Sequence, residues 1–319
     1  MKKISLLVAV LVLFLGCDKS SQIEKEISEI PVEVKVKRFD LDYKKATPAD
    51  LPQLKQEYPY MFPQEYPDSV WVTKMYDTLQ RSLFNEVYKA FPDFEAQEKE
   101  LASFFQHVKF YYPNDPIPTV ITVTSDVDYK NQVIYTGKYL VIGLDTYLGA
   151  SHEFYSGMAQ YITESLDKKY MIVDVASAYA DAKVASPRMK DFLSVIIYYG
   201  KKQYIEQLLI PNKSAAERLK YSEEQYTWAE ANEAMIWQYF VENEVLYSTA
   251  PKLLERFVMP APFSKFYLPV DNESPGRLGI YIGSKIVDAY MKNNDVSLQQ
   301  MLNTSAQEIF KSAHYKPKK

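Results

Sequence analysis

Cysteine is almost absent: Cys17 is the single one in 319 residues. One cysteine makes neither an internal disulfide nor a cysteine-rich zinc site, so the fold must be held by its core alone. Glycine is scarce, at nine residues, and neither a Gly-rich phosphate loop nor a Gly-x-Ser-x-Gly elbow occurs. Histidine is rarer still: His107, His152 and His314. A His-Glu-x-x-His zinc helix needs two imidazoles one turn apart. The nearest string, His152-Glu153-Phe154-Tyr155-Ser156, has serine in the fifth position, so a structural or surface histidine is expected there. Positive charge is also lacking. With 37 basic against 41 acidic residues the net charge is −4 and no basic stripe is present, which argues against a nucleic-acid partner. Beyond the first 16 residues no apolar run approaches the about 20 residues of a spanning helix. Paired carboxylates for sugar hydrolysis stay open, because 41 acidic residues offer many pairs.

What is present begins with a leader. Met1-Lys2-Lys3 is cationic, and Ile4 to Phe14 is apolar but short for a bilayer span. It ends in Leu15-Gly16-Cys17, which resembles the lipobox of bacterial lipoproteins. That resemblance implies cleavage after Gly16 and diacylglycerol on the Cys17 sulfur. Residues 1–16 are then a signal peptide and 17–30 a lipidated, flexible, polar tether. About 5–6 Å × √n gives such a tether a reach of roughly 20 Å. Residues 31–319 form one globular domain, long enough to bury roughly three quarters of its surface. The body is expected in the periplasm, with either the inner or the outer membrane as anchor.

Within that body, residues 31–149 read as mixed α/β and 150–319 as helical. Val32, Val34 and Val36 alternate with charged residues as in a half-buried strand, which Val36 to Leu41 extends. Prolines at 52, 59, 63 and 67 rule out a long helix and predict an ordered aromatic loop with short helical turns. Helices are predicted over 69–91, from the stripe Trp71, Met75, Leu79, Leu83 and Val87, and over 93–111. Thr119 to Thr124 is β-branched, and residues 133–143 fold back as a hairpin around Thr136-Gly137. Further helices are predicted over 157–166, 170–182, 187–209, 222–245, 275–292 and 297–311, with a loop at 251–274. Pro187 after Ser186 suggests a helix start, and Ser222–Gln225 and Ser297–Gln300 have capping-box spacing. The 27 tyrosines suggest packed, partly wet surfaces rather than a cofactor box.

An ordered series of motifs carries a resemblance over nearly the whole chain. Arg38-Phe39-Asp40 is followed by Glu57-Tyr58-Pro59-Tyr60-Met61-Phe62-Pro63 and by Gly143-Leu144-Asp145-Thr146-Tyr147-Leu148-Gly149. Ile197-Tyr198-Tyr199-Gly200-Lys201, Pro275-Gly276-Arg277-Leu278-Gly279-Ile280-Tyr281-Ile282-Gly283 and Tyr315-Lys316-Pro317 complete it. In order and spacing the series resembles the gliding-motility lipoprotein GldB family of Bacteroidetes. The resemblance implies a role in gliding motility, protein partners in the associated type IX secretion machinery, and no reaction.

The hairpin, the Tyr-Gly-Lys helix and the Pro-Gly-x-x-Gly segment are also similar to predicted His-Glu-x-x-His zinc peptidases. This similarity implies an α+β fold, mostly helical, with a small N-terminal antiparallel sheet packed on a C-terminal helical bundle in a gluzincin-like arrangement. It places Val175 and Tyr179 where the two histidines would stand, Ala176 at the catalytic glutamate, and Tyr198 or Tyr199 at the third ligand. The spacing is kept and the ligand chemistry is gone. No catalytic residue, metal or cofactor is therefore expected, and a degenerate groove along the hairpin's outer strand is left for an extended partner. Asp145, Tyr147, Tyr281 and Arg277 are candidates to line it or to meet the partner. Two other functions stand beside this one: an active zinc peptidase with other ligands, His152 and Glu153 among them, and a periplasmic carrier of secreted chains.

Overall fold

The computed structural model describes residues 21–187 and 190–318. The leader, Cys17 and its lipobox lie outside the described residues. The first element among the described residues is a helix that covers residues 21–28, α1. Ile27 on α1 is 1% exposed, and the Gln106 amide donates to the Ser28 and Ile30 carbonyls at 3.0 Å. The stretch expected as a flexible tether is thus largely a helix docked on the body. Its Ile23/Ile27 spacing, one turn apart, gives it an apolar face to bury.

The remaining elements follow in order: β1 Val36–Lys37, α2 Phe39–Lys45, α3 Leu51–Glu57, α4 Asp68–Tyr76, α5 Thr78–Ala90 and α6 Glu95–Tyr111. The sheet continues with β2 Thr119–Val123, β3 Val133–Tyr135 and β4 Tyr139–Gly143. Helices α7 Gln160–Thr163, α8 Met171–Lys183, α9 Phe192–Leu209 and α10 Ala215–Leu219 come next. The chain closes with α11 Glu223–Ala231, α12 Glu233–Glu242, α13 Lys252–Phe257, α14 Leu278–Asn293, α15 Leu298–Asn303 and α16 Ala306–Ala313. No helix among the described residues is long and apolar enough to cross a membrane.

The fold is mostly helical with one small sheet, an α+β arrangement. The sheet is mixed rather than antiparallel. Its order is β1-β2-β4-β3, with β1, β2 and β4 parallel and only β3 antiparallel, as the outer strand of the hairpin. Both faces are covered, and the two-residue period of the strands sorts side chains between them. Val120, Leu140 and Ile142 face α6 and α8, whereas Ile121, Val123 and Val141 face α2 to α5. A third core joins α9, α12, α14 and α16 as the C-terminal bundle.

Several boundaries differ from the periodicity, for local reasons. The strand expected to run to Leu41 stops at Lys37. Arg38 instead donates two hydrogen bonds to the Asp40 carboxylate and one to the Phe91 carbonyl, and Asp40 also accepts from Thr122 Oγ1. That clasp starts α2, which buries Phe39 and Tyr43 one turn apart. The helix expected over 69–91 breaks at Asp77, whose carboxylate caps α5 by accepting from Gln80 N–H. The helix expected from Pro187 begins at Phe192, because Asp191 caps it by accepting from Ser194 N–H. Residues 222–245 divide at Asn232 and 297–311 at Thr304. The capping boxes at Ser222 and Ser297 form as spaced, and a further one forms at Ser214. The 251–274 segment contains α13, and 157–166 contains only the four-residue α7.

Glycine sets the closest helix contact. A Cβ on Gly200 of α9 would lie 2.2 Å from the Gly283 carbonyl oxygen of α14, and one on Gly283 would lie 1.9 Å from the Ile196 carbonyl oxygen. The Tyr-Tyr-Gly-Lys and Pro-Gly-x-x-Gly motifs therefore meet as packing surfaces.

Candidate functional site: the groove beside the edge strand

β3 is the outer strand, and its pairing with β4 determines which of its groups are free. Thr136 N–H donates to the Tyr139 carbonyl and Gly143 N–H to the Gln132 carbonyl, two residues either side of the Ile134–Val141 pair. In an antiparallel ladder the alternate residues point away. The N–H and C=O groups of Val133 and Tyr135 thus face outward, where no strand pairs with them among the described residues.

Three segments build the groove onto which this edge opens. The Tyr135 strand end turns through Thr136-Gly137, with Gly137 at φ +80°. The last turn of α8 brings Ala182 and Lys183, and the segment after α6 brings Asp115 and Pro116. Together they line an open depression of about 460 Å³. Asp115 is its electrostatic centre. Its carboxylate accepts from the Tyr179 hydroxyl at 2.5 Å and pairs with the Lys183 ammonium. Lys183 lies over the rings of Tyr112 and Tyr179, 5.0 and 5.2 Å from their centroids. Tyr179 also packs against Tyr135, with centroids 5.3 Å apart. Burial pushes the Tyr179 phenol well above its ordinary range, and the bond to Asp115 pushes it further. The Tyr112 hydroxyl is buried with no hydrogen-bond partner among the described residues. Such a groove offers a free backbone edge, an aromatic wall and a paired charge on its rim.

The residues singled out from sequence fall in different places. Tyr179 forms the wall just described. Val175 and Ala176 are fully buried in the core between sheet, α6 and α8. Tyr198 donates to Asp181 at 3.0 Å and Tyr199 stacks edgewise on it, with Lys202 over both rings. Asp181 is two residues from Tyr179, about 200° around the helix, so these tyrosines lie away from the groove.

Asp145 is completely buried. It accepts from Ser125 N–H at 2.9 Å, Val127 N–H at 2.7 Å and Ser125 Oγ at 3.1 Å. Burial raises its carboxyl above the usual range despite those bonds. The bonds hold Asp126 and Val127 at φ +57°, a conformation costly for a β-branched residue, in the loop that leads into β3. Asp145 therefore positions the edge strand from inside rather than lining the groove. Tyr147 is buried and donates to Asp174 at 2.9 Å. Tyr281 is buried in the C-terminal bundle and donates to Glu233 at 2.7 Å, a carboxylate shared with Tyr315. Arg277, at φ +61°, donates to the Leu219 carbonyl and stacks over Tyr221. The four therefore serve separate internal contacts.

The histidines are also dispersed. His152 Nδ1 accepts from Phe154 N–H, and its Nε2 is 3.5 Å from Glu86. His107 lies between the Ser103 carbonyl and Glu24, and His314 ends α16 at φ +48°. No group of three His, Cys, Asp or Glu side chains is placed to hold a metal ion among the described residues. The residues missed from sequence are Tyr112, Asp115, Tyr135 and Lys183. They come from three separated segments, and only the Asp115-Pro116 turn marked one of them.

Neither the curated proteins nor the solved structures contain a match to this chain. A family model described as gliding motility protein GldB matches residues 20–317, nearly the whole length, and the chain belongs to that family of gliding-motility lipoproteins.

Proposed function

We propose that this chain is a non-catalytic lipoprotein, anchored in the cell envelope through Cys17, that binds a protein partner of the gliding and type IX secretion machinery along its edge strand. The observation that carries the reading is the outward-facing backbone of Val133 and Tyr135 beside the Tyr179–Asp115–Lys183 groove. An extended segment adding to β3 gains main-chain hydrogen bonds, and its alternate side chains meet the aromatic wall. The packing of α8 against β3 supports descent of the groove from a peptidase-like cleft. The buried apolar side chains of Val175 and Ala176, and the internal bond of Tyr179, support loss of hydrolysis.

The test uses proline, which an edge strand tolerates where its N–H points outward. A gliding cell whose sole copy carries Val133→Pro is expected to spread no better than the deletion strain, while the protein accumulates normally and keeps its melting temperature within about 3 °C. Normal spreading with Val133→Pro would remove strand addition. Normal spreading after deletion would remove the motility role altogether. Capture of many unrelated secreted chains at the edge, rather than one partner, would convert the reading to that of a carrier.

A further inference from the structure

The docked α1 helix changes what the anchor does. The reading of Cys17 as the lipidated residue, on which this inference rests, leaves three residues between the anchor and Ser21. At about 3.3–3.6 Å per residue, the four steps from Cys17 to Ser21 span at most about 14 Å, whatever their conformation. From Ser21 the chain is helical, and contacts from Glu24 onward fix that helix to the body. Ile27 is buried, Gln106 holds the Ser28 and Ile30 carbonyls, and His107 Nε2 is 3.2 Å from Glu24.

The direction of α1 says which part of the body lies nearest the anchor. Ser28 is against Gln106, whereas Glu24, one turn earlier, is against His107 and influences Tyr111. Moving toward Ser21 therefore moves toward the C-terminal end of α6. That end carries Phe110 and Tyr111, half-buried aromatics whose rings are 5.0 Å apart, beside Tyr204 of α9. Amphipathic rings of this kind are favoured where one side meets apolar surface and the other water. The same end of α6 runs directly into Tyr112 and Asp115, the wall of the groove.

We infer that the face formed by α1 and the C-terminal end of α6 rests on the lipid surface of the anchoring membrane, which holds the edge-strand groove at the headgroups. Charge does not drive this contact, since Glu24, Glu26 and Glu29 outnumber Lys25 on the exposed positions of residues 21–30. The short covalent link does. The partner that fits is accordingly a chain segment emerging from the same membrane.

The experiment uses the lipidated full-length protein in vesicles of phosphatidylethanolamine and phosphatidylglycerol that carry a nitroxide headgroup quencher. Single cysteines at Asn114, beside the groove, and at Lys311, on α16, take a fluorophore, because Cys17 is blocked by lipid. α16 contacts Ser194 through Gln307, ten residues and roughly 15 Å along α9 from Tyr204. Quenching at 114 is expected to exceed that at 311 at least threefold. Twelve Gly/Ser residues inserted between Ser20 and Ser21 keep residues 21–28 and their contacts and are expected to bring the two sites to equal quenching. Ile27→Asp, which releases α1, is expected to do the same. Equal quenching in the unaltered protein, or an asymmetry that survives the insertion, overturns the inference. A Cys17→Ala protein that stays in the membrane fraction overturns the anchor reading itself, and is seen separately by fractionation.

Discussion

The α9–α14 contact and the β3–α8 groove are built from the same residue types to opposite ends. In the bundle, Gly200 and Gly283 remove side chains so that two helix backbones touch, and the surrounding residues are almost wholly apolar. In the groove a glycine again lines the surface, but Gly137 has nothing within 4 Å of where a Cβ would be. It is needed for its φ of +80°, which turns the hairpin. The two bundle glycines supply space to the core, and Gly137 supplies shape to the surface. The first region is a frame, beside which only a small depression of about 60 Å³ opens between α9, α10 and α14. The second leaves backbone groups, a ring wall and a buried phenol unspent.

Alanine at Gly283 and, separately, at Gly137 is the strongest way to break that contrast. Gly283→Ala gains about 1 kcal/mol of helix propensity but drives a methyl into the Ile196 carbonyl, so a net loss of about 3 kcal/mol is expected. Gly137→Ala meets no atom and pays only for a left-handed backbone, about 1 kcal/mol. Urea unfolding of both variants reads the difference. Equal losses would mean that the helices separate easily and that the bundle is no more rigid than the groove.

The frame was more legible in the sequence than the groove. Strand alternation located β2 and the hairpin, and the Ser222 and Ser297 boxes marked helix starts, because each signal lies within a few residues. The apolar stripes over 69–91 and 222–245 run through Asp77 and Asn232, so periodicity predicts continuous helices; the Asp77 cap divides the first, and the second divides at Asn232, whose side-chain amide donates to the Trp228 carbonyl. The Arg38–Asp40 clasp and the docking of α1 depend on partners more than 50 residues away, Phe91 and Gln106 among them. The groove is assembled from Tyr112, Asp115, Tyr135, Tyr179 and Lys183, and of these only Tyr179 stood at a recognisable helical spacing. Asp145, Tyr147 and Tyr281 were conspicuous in their motifs because they hold the fold together. Conspicuous residues and groove residues are here mostly different sets.

Glu206 tests the junction between the two regions, since it lies on α9 and faces Ser177 on α8. It is 1% exposed and accepts from Gln203 at 2.7 Å. Burial pushes its carboxyl up from 4.5 to about 8, against the opposing pull of Lys202 and Arg218. Between those pH values the folded protein keeps a proton that the unfolded chain has released. The stability from this group is therefore complete below pH 4.5 and is lost as pH rises through about 8. Lys201, pushed down from 10.5 to about 8 by burial, acts in a separate window: stability rises with pH from about 8 to 10.5. Glu206→Gln mimics the protonated form. It is expected to leave the melting temperature at pH 4.5 unchanged and to raise it by about 3 °C or more at pH 8. A pH-independent shift would mean that the carboxyl is ionised in the folded protein and that the junction is held by its ion pairs.

The smallest effect on stability is expected at the groove itself, and there it sharpens the comparison most. The Lys183–Asp115 pair is about one-fifth exposed on each side, so screening by water limits its worth to about 1 kcal/mol. Lys183→Met keeps the aliphatic stem over Tyr112 and Tyr179 and removes the charge. It leaves Asp115 with the Tyr179 hydroxyl and with Lys109, which donates to the Asp115 carbonyl at 2.6 Å. The fold should lose about 0.5–1 kcal/mol. If the groove binds a partner, the loss in binding should exceed the loss in folding, because a bound segment excludes the water that screens the pair. Pull-down of the partner from envelope membranes, set beside a urea titration of the same variant, gives the two numbers. A variant that loses stability and binding in equal proportion would make the Lys183–Asp115 pair one more brace of the frame. A variant that folds normally yet loses its partner would place recognition on the groove rather than on the frame.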